Sequence, residues 1–581
     1  MSVRSLLLTG LAALFLMDVR AFVGSMDAQG NWRRWNLENS GVEVPTNSVN
    51  RATKAIRYFL GVETANAGME ELERNSIRAA FGQWQAAPNT KIRFEEGELV
   101  SNPDVNLGDG TNVVYFTKSE LVNGGRDSIF NRGVAVTFFK TGMNNEILEA
   151  DIVLNNFQFT WFSDFQDTTT TKFFIESAAL HEIGHFLGLD HSPVGGATMF
   201  VRSLRGVTAQ AGLSADDLAG ASTLYPLGLR ASLSGQVTAN GPVAGAIVTI
   251  EDLSGNTKQA TATRLDGRYQ IGDLPIGDYS VRVTPLDPAG GSSLTRLIIG
   301  ADISPEYAGA AITSFLPIPN AAVRIESDLA MDFVVTNSDP AFRITRIIPP
   351  ASFPDQFTAQ NAPAQISLGA GGLLVGVAGP SLPTSGATLE VTGDGITLGP
   401  TQFSPDPFRT TPPLRAIYAS ISVSSNATPG LRSFVVRRGS DAAFANGFLE
   451  VLPRVLDDNF DGLDDRFQRT NFAVFTSPEA SAGADPDADG LSNQGEFMAG
   501  TNPTQSASVL RIEEVQYAAS GSRVRWQSVP GKRYQLWARD VVADAPWVKI
   551  NGVVIASSAS VEELDGEAHA ERYYKIEVFG N

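Results

Sequence analysis

Apolar residues recur at helical spacing in three segments of the first 230 residues. In residues 70–85 they fall at Leu72, Ile77, Phe81 and Trp84, among others, which is the spacing of one helix face. A second helix is predicted over residues 172–187. A third is predicted to begin at Ser214, whose hydroxyl can cap a helix and which precedes two acids. Short alternating runs predict strands at residues 91–94, 113–117, 133–139 and 147–155. The region from 30 to 228 therefore reads as a mixed α+β domain.

The pattern changes at residue 231, where short apolar strands alternate with turns rich in Gly, Pro and Asp. Such strands occur at residues 235–238, 246–250, 267–271 and 279–283. This texture is typical of β-sandwiches. A Pro-rich stretch at 347–354 is expected to lead into a second β-rich module with strands at 433–437 and 447–451. We predict β modules at residues 231–336, 340–453 and 506–581, with an Asp-rich connector at 454–505.

The N-terminus has the pattern of a secretory signal peptide. Arg4 precedes an apolar run from Leu6 to Met17, and Ala21 offers a small residue for cleavage. The alternative is a short membrane anchor, but the run is well below the ~20 residues that a spanning helix needs. We therefore predict a signal peptide at residues 1–21 and a secreted, extracellular protein. No later segment is long and apolar enough for a transmembrane helix.

Composition excludes several classes of site and partner. The 581 residues exceed a single core, so three to five domains are expected. A net charge of −19 disfavours nucleic acid as a partner. The chain has no cysteine, which excludes disulfides, thiolate metal sites and a cysteine nucleophile.

Three of the four histidines lie within eleven residues, in the sequence HEIGHFLGLDH from 181 to 191. His181 and His185 are four residues apart and share one helix face, where they can bind one zinc ion with Glu182 beside it as a base. Gly188 can end the helix in a left-handed conformation, and the returning chain brings His191 in as a third ligand. Three protein ligands leave one position for water, which indicates a catalytic site. The alternative is an ordinary helix with chance histidines, which leaves the complete pattern unexplained.

The Asp-rich connector carries two candidate calcium loops. The second matches the twelve-residue calcium loop at every key position, with Gly490 at the sharp turn. Its predicted ligands are Asp485, Asp487, Asp489, Leu491, Asn493 and Glu496. The first loop is weaker because Gln468 stands where a bidentate Glu is expected. Its predicted ligands are Asp457, Asn459, Asp461, Leu463 and Asp465. The alternative for both is a solvated acidic linker.

The histidine motif and its surroundings resemble the metzincin metallopeptidases, and among them the matrixins. Ser192 follows the third histidine as in matrixins, and Met199 resembles the methionine of the family's Met-turn. Residues 213–220 (LSADDLAG) and 224–226 (LYP) resemble the C-terminal helix of the family, and 149–152 (EADI) its edge strand. The resemblance covers about residues 30 to 228.

This resemblance implies a matrixin-like protease fold and a peptidase activity. In that reading Glu182 is the general base on a zinc-activated water, and Met199 lies as an apolar floor beneath the imidazoles. The strand at 147–155 would bind substrate by strand addition, and the loop at 200–213 would line the pocket beyond the scissile bond. The chain departs from vertebrate matrixins, since it lacks histidines for a second zinc and a propeptide cysteine. Val201 also stands where astacins have a tyrosine ligand.

The later modules also resemble known families, through less specific motifs. Residues 231–287 resemble the prealbumin-type, carboxypeptidase regulatory-like β-sandwich, through 265–269 (LDGRY) and 274–279 (LPIGDY). The pattern of short strands at 340–453 resembles that of an Ig-like module. The two calcium loops resemble thrombospondin type 3 or dockerin-like repeats. In the last module Trp526, Trp537 and Trp547 could be core residues or a carbohydrate platform.

Together these patterns predict a multidomain protein, with an α+β metzincin-type zinc protease domain, all-β sandwich modules and a calcium-loop connector. The expected function is a secreted endopeptidase with one catalytic zinc, acting on protein or peptide substrates. The β modules could contact an extracellular surface or carbohydrate. One alternative is a cell-surface adhesion protein whose protease domain is inactive, although an intact Glu182 argues against it. Another is a protein whose protease domain processes its own tail.

Overall fold

The computed structural model describes most of the chain, and the predicted signal peptide lies outside the described residues. The described residues are 32–38, 48–129, 133–167, 170–201, 206, 210–228, 230–285, 315–351, 358–411, 413–540, 546–567 and 571–579. No helix among them combines the length and the apolar composition of a membrane span.

The chain folds as two compact units. The first contains the described residues up to Ala65 together with Asn89–Leu452, and the second contains Asn66–Pro88 together with Pro453–Asn581. The helix predicted at 70–85 forms and groups with the second unit. The elements between residues 32 and 228 are, in chain order, β1 (Arg34–Trp35), β2 (Val49–Asn50), β3 (Ala55–Leu60), α1 (Glu70–Ala86), β4 (Phe94–Glu96), β5 (Val113–Thr117), β6 (Leu121–Val122), β7 (Asp127–Ser128), β8 (Ala135–Thr141), a 3₁₀ turn (Met143–Asn145), β9 (Glu146–Asn155), β10 (Trp161–Phe162), β11 (Phe173–Phe174), α2 (Ile175–Phe186) and α3 (Ala215–Leu224).

A seven-stranded mixed sheet supports the histidine motif. Its strand order is β1-β9-β5-β3-β2, with β4 also paired to β3 and β8 paired to β9. Strands β1, β5 and β9 run parallel, whereas β8 is antiparallel to β9. The prediction that residues 147–155 form an edge strand is wrong, because β9 has β5 on one side and β8 on the other. Among the described residues β8 is the outermost strand on that side.

Strand β9 is buried from Ile147 to Asn155 although two of these residues are acids. Asp151 accepts hydrogen bonds from the backbone N–H groups of Asn106 and Val113, at 3.0 Å each. Glu149 accepts from the N–H of Gly110 at 2.9 Å. Both carboxylates thus hold the loop that precedes β5, which explains acids at core positions that apolar alternation alone would not place there.

Two modules of paired β-sheets follow in the same unit. The first β-module comprises β12 (Ala231–Thr238), β13 (Ile247–Asp252), β14 (Thr257–Ala262), β15 (Arg268–Leu274), β16 (Gly277–Thr284), β17 (Ile318–Ile325), β18 (Leu329–Ala330) and β19 (Phe333–Val334). In one sheet β12 lies between β15 and β18, and β19 also pairs with β12. The other sheet has the order β14-β13-β16-β17. Apolar residues from both sheets, including Leu233, Val248 and Ile271, form its core.

The second β-module also consists of two sheets. Its strands are β20 (Arg346–Ala351), β21 (Ala364–Ser367), β22 (Leu373–Gly379), β23 (Thr388–Val391), β24 (Ile396–Leu398), β25 (Gln402–Ser404), β26 (Arg415–Val423), β27 (Gly430–Arg438) and β28 (Asp441–Leu452). One sheet has the order β20-β22-β26-β24, with β25 also on β26, and the other β21-β28-β27-β23. The Pro-rich stretch, expected to lead into this module, overlaps β20. Prolines are tolerated there because β20 is the end strand of its sheet and its register shifts between Ile348 and Ala351.

The second unit combines α1 with the C-terminal residues. Its further elements are α4 (Asp465–Asn471), a 3₁₀ turn (Pro478–Ala480), α5 (Asn493–Ala499), β29 (Ile512–Ala518), β30 (Gly521–Gln527), β31 (Arg533–Arg539), β32 (Val548–Ile555), β33 (Ser560–Asp565) and β34 (Tyr573–Phe579). The strands form two sheets with the orders β29-β30-β33 and β32-β31-β34. Trp526 is fully buried in their core. Cationic side chains lie over the rings of Trp537 and Trp547.

Candidate metal centre

Helix α2 ends where the sequence predicts, and glycine is required at that end. Gly188 has a φ of 99°. Its N–H donates to the carbonyl of His185 at 2.8 Å, and the N–H of Leu189 donates to that of Gly184 at 2.9 Å. This is the hydrogen-bond pattern of a Schellman cap. A Cβ at Gly188 would also lie 2.2 Å from the carbonyl oxygen of Arg33, so both the backbone conformation and the packing demand glycine.

The three histidines converge beyond this turn. One ring nitrogen from each of His181, His185 and His191 lies within 4.8 Å of the others. The Nδ1 atom of His181 donates to the carbonyl of Thr198, and that of His185 to the carbonyl of Leu189, both at 2.8 Å. A carbonyl only accepts hydrogen bonds, so Nδ1 carries the proton in both rings. Their Nε2 atoms are left unprotonated and could bind a metal ion.

The electrostatics of the centre keep the histidines neutral. Burial lowers the pKa of all three, and for His185 and His191 the neighbouring imidazoles add to this effect. The pKa of His185 falls to about 3. Metal binding requires neutral imidazoles, and a set of three buried neutral nitrogens with oriented rings suits zinc. The residues present therefore fit one zinc ion.

Glu182 lies beside the histidines and is buried. Its Oε2 accepts a hydrogen bond of 2.6 Å from the hydroxyl of Thr137, on strand β8. Burial raises the pKa of Glu182 to about 7, and the Thr137 hydroxyl opposes that rise. A carboxyl group that titrates near neutral pH is suited to accept and return a proton.

One carboxylate binds two consecutive N–H groups at Met199. Asp217 accepts hydrogen bonds from the N–H groups of Thr198 and Met199, at 2.8 and 2.9 Å. Its side chain also bonds the N–H of Ser214, which completes the capping box of α3. Met199 is fully buried, and its carbonyl accepts from the N–H of Ser192 at 2.8 Å.

Sequence reasoning identified the histidines and Glu182 but missed their partners. Thr137 contacts Glu182, and Asp217 contacts the backbone at Thr198 and Met199. Neither partner is a neighbour in sequence of the residue that it contacts. Tyr225 was seen only as part of a family-like LYP sequence. Its hydroxyl donates to the carbonyl of Leu187 and accepts from the N–H of Trp35. The one signal in the sequence was the pair of acids after the N-cap at Ser214, Asp216 and Asp217, and both of them are buried in the structure.

The second predicted calcium loop gathers unsatisfied oxygens. Asp485, Asp487 and Asp489 form a group whose carboxylate oxygens lie within 4.8 Å of one another. Gly490 has a φ of 93°, as the sharp turn requires. Buried oxygens without a hydrogen-bond partner come from one side-chain oxygen each of Asp487, Asp489 and Asn493 and from both oxygens of Glu496. Burial and the neighbouring aspartates raise the pKa of Glu496 to about 7. This donor set fits calcium, which prefers oxygen ligands.

The first predicted loop differs in its interior. Gln468 is buried, and its Nε2 donates to Asp461 Oδ2 at 2.9 Å while its Oε1 accepts from the amide of Asn459. The Oδ atoms of Asp457 accept from the N–H groups of Asp461 and Gly462, as those of Asp485 accept from Asp489 and Gly490 in the second loop. Leu463 is buried, and Asp465 bonds the N–H of Asp458. Protein donors therefore already meet several of the oxygens that were predicted to bind calcium.

Comparisons with known proteins agree with the geometry of the histidine site. Residues 50–226 match the matrixin family model, and residues 232–292 match the carboxypeptidase regulatory-like domain. Metalloendoproteinase 4-MMP of Arabidopsis thaliana is 40% identical over 153 residues, which are 26% of this chain and 40% of that protein. Metalloendoproteinase 1-MMP of the same plant is 35% identical over 182 residues, 31% of this chain and 45% of that protein. The chain thus spans less than half the length of these relatives.

Comparison with solved structures adds nothing to this assignment. The major pilin subunit BcpA of Bacillus cereus covers 60% of this chain and 88% of its own, at 8% identity and a TM-score of 0.14. That score is too low to support an argument about the fold. The assignment therefore depends on the sequence matches and the histidine site: the chain contains a matrixin domain at residues 50–226, followed by a carboxypeptidase regulatory-like domain at residues 232–292.

Proposed function

We propose that the protein is a secreted zinc-dependent endopeptidase that hydrolyses peptide bonds of extracellular proteins. The observation that carries the proposal is the convergence of three neutral imidazoles, two of them oriented by hydrogen bonds, beside a buried carboxyl group. The matrixin match over the same residues supports it. The predicted signal peptide supports secretion.

In the proposed mechanism His181, His185 and His191 hold zinc through their free ring nitrogens. When bound, zinc supplies a Lewis acid that lowers the pKa of a water towards ~7 and stabilises negative charge in the transition state. Glu182 accepts the proton of the attacking water and returns it to the leaving amine. Thr137 orients the Glu182 carboxylate through its hydroxyl, and the carbonyls of Thr198 and Leu189 hold the rings of His181 and His185.

Strand β8 is the proposed support for the substrate. Thr137 lies on β8 and contacts Glu182, so this strand passes directly beside the site. An extended peptide that pairs with an outer strand gains backbone hydrogen bonds whatever its side chains are. This assignment replaces β9, which the sequence had suggested for the role.

We further propose that the second Asp-rich loop binds one calcium ion, which stiffens the connector. The five buried, unpartnered oxygens support this role, because each would otherwise leave a desolvated acceptor unsatisfied. The first loop is the weaker candidate, since Gln468 occupies its interior.

The test of the peptidase is cleavage of casein by the purified protein, run beside Glu182→Ala with zinc measured on both. The expected result is one zinc per chain in both proteins and a loss of activity of at least ~100-fold in the variant, because the proton acceptor is gone. The absence of zinc from the unmodified protein would refute the proposal.

The same preparations separate the alternatives. Bound zinc without cleavage of any substrate would favour the adhesion protein with an inactive domain. Fragments of the chain itself that appear by mass spectrometry only without a chelator would favour self-processing.

A further inference from the structure

The segment from Val194 to Phe200, here called the Met-turn segment, touches the second β-module. The N–H of Gly195 donates to the carbonyl of Asn446 at 3.0 Å, and that of Gly196 to the carbonyl of Gly447 at 2.8 Å. Both acceptors belong to strand β28. The Met-turn segment thus forms backbone hydrogen bonds with a strand of the second β-module that lies more than 200 residues away in sequence.

A bulge in β28 makes these carbonyls available. The pairing of β27 with β28 shifts register between Arg432 and Phe434, and Gly447 has a φ of 64° at that point. The hydroxyl of Ser433 accepts the N–H of Gly447 at 3.2 Å. A bulge interrupts the hydrogen-bond ladder and leaves backbone groups without a partner strand. Here the free carbonyls point to the Met-turn segment.

Side-chain packing reinforces the contact. Phe200 is fully buried within the core of the second β-module and meets Phe448 edge to face, with ring centroids 5.4 Å apart. Val194 and Ala197 form a buried apolar cluster with Leu431. The approach is so close that a Cβ on Gly196 would lie 2.3 Å from Leu431 Cδ2 and 3.1 Å from the carbonyl oxygen of Gly447.

The other side of the Met-turn segment holds the metal site. The carbonyl of Thr198 accepts the hydrogen bond from His181 Nδ1. Asp216, the residue before Asp217 in helix α3, accepts hydrogen bonds from the hydroxyl of Ser192 at 2.6 Å and from the N–H of Ala260, in the first β-module, at 2.8 Å. Asp217 of α3 also holds the N–H groups of Thr198 and Met199, and the apolar cluster that contains Val194 and Ala197 includes Ala260 of the first β-module. The segment that orients His181 is therefore held between α3 and the two β-modules.

From this geometry we infer that the second β-module is part of the catalytic unit. Strand β28 and Leu431 are positioning elements, which hold the Thr198 carbonyl where it orients His181. Partners that orient a ligating histidine affect metal affinity by about 10–100-fold. The inference rests on the proposed zinc-binding role of His181, and it adds that zinc affinity depends on residues of a separate module.

The test uses the full chain with Gly196→Ala, in which the added methyl group pushes the segment away from β28. The expected result is zinc affinity at least ~10-fold weaker by chelator competition, and a lower kcat with little change in KM at saturating zinc. Adding Leu431→Ala removes the closer clash and is expected to restore much of the affinity. Gly228→Ala is the matched control, because nothing lies within 4 Å of its new Cβ.

The outcomes separate this inference from the proposed function. Zinc binding and cleavage by the unmodified chain test the function, and failure there removes both proposals. Normal zinc affinity in a folded Gly196→Ala protein overturns only the inference. If that variant does not fold, Leu431→Ala alone gives the decision: weaker zinc affinity supports the inference and unchanged affinity overturns it.

Discussion

At the scale of single residues, the structure adds partners to a site whose ligands the sequence already contained. The spacing of His181, Glu182 and His185 on one helix face could be predicted because helical geometry is local. Thr137 could not, because it reaches Glu182 from a strand 45 residues away, and no local pattern records that pairing. The Thr137 hydroxyl is the one polar partner that lowers the pKa of Glu182 against the effect of burial.

Replacing Thr137 by valine is expected to shift the acidic limb of the pH–activity profile to higher pH. The hydroxyl donates to the carboxylate and so favours its ionised form; without it the pKa of Glu182 rises, and the base is protonated over a wider acidic range. A hydrogen bond to a charged group contributes about 1.5 kcal/mol or more, which corresponds to a shift of about one pH unit. The measurement is kcat/KM against pH. Thr137→Ser keeps the hydroxyl and should retain the original profile, and a valine profile that coincides with it would contradict this role.

At the scale of helices, strands and loops, local patterns predicted what elements exist but not how they pair. The strand at 113–117, the helix at 70–85 and the cap at Ser214 were predictable, because periodicity and capping depend on neighbours in sequence. The error at β9 came from sheet order, which non-local pairing decides. The strand within the Pro-rich stretch was hidden because proline usually argues against a strand unless it lies at a sheet edge.

The second Asp-rich loop is an element whose stability should depend on calcium. Binding to the folded state alone raises the unfolding temperature, and Glu496 supplies two of the unpartnered oxygens. We expect millimolar calcium to raise the melting temperature of the full chain by several degrees, and Glu496→Gln to abolish most of that rise. The measurement is differential scanning calorimetry with calcium or with a chelator. Glu479→Gln removes the same charge from an exposed position of the same connector and should respond like the unmodified chain. An equal calcium response in Glu496→Gln would argue against a site in this loop.

At the scale of the first unit, the region that matches the matrixin model and the two β-modules share buried surfaces. Arg282 and Glu251 form a buried ion pair within the first β-module, and the hydroxyl of Ser433, in the second β-module, donates to Glu251 at 3.1 Å. Separating the modules would leave this buried carboxylate without that donor, so the contact favours a fixed arrangement of the modules. Sequence patterns suggested separate modules joined by turns, because a contact between modules leaves no periodic signal in either one.

A fragment that ends after residue 228 is therefore expected to be a poor enzyme. It would keep every predicted zinc ligand and Glu182, but Val194, Ala197 and Phe200 would lose their apolar contacts with the modules. Exposing buried apolar surface costs about 25 cal/mol per Å², and the Met-turn segment would lose both backbone hydrogen bonds to β28. We expect weaker zinc binding and a kcat/KM at least ~10-fold lower than that of the full chain. The comparison uses chelator competition and casein cleavage on both proteins, with circular dichroism to verify that the fragment is folded. A folded fragment with the zinc affinity and activity of the full chain would mean that the modules pack against the protease region without supporting its chemistry.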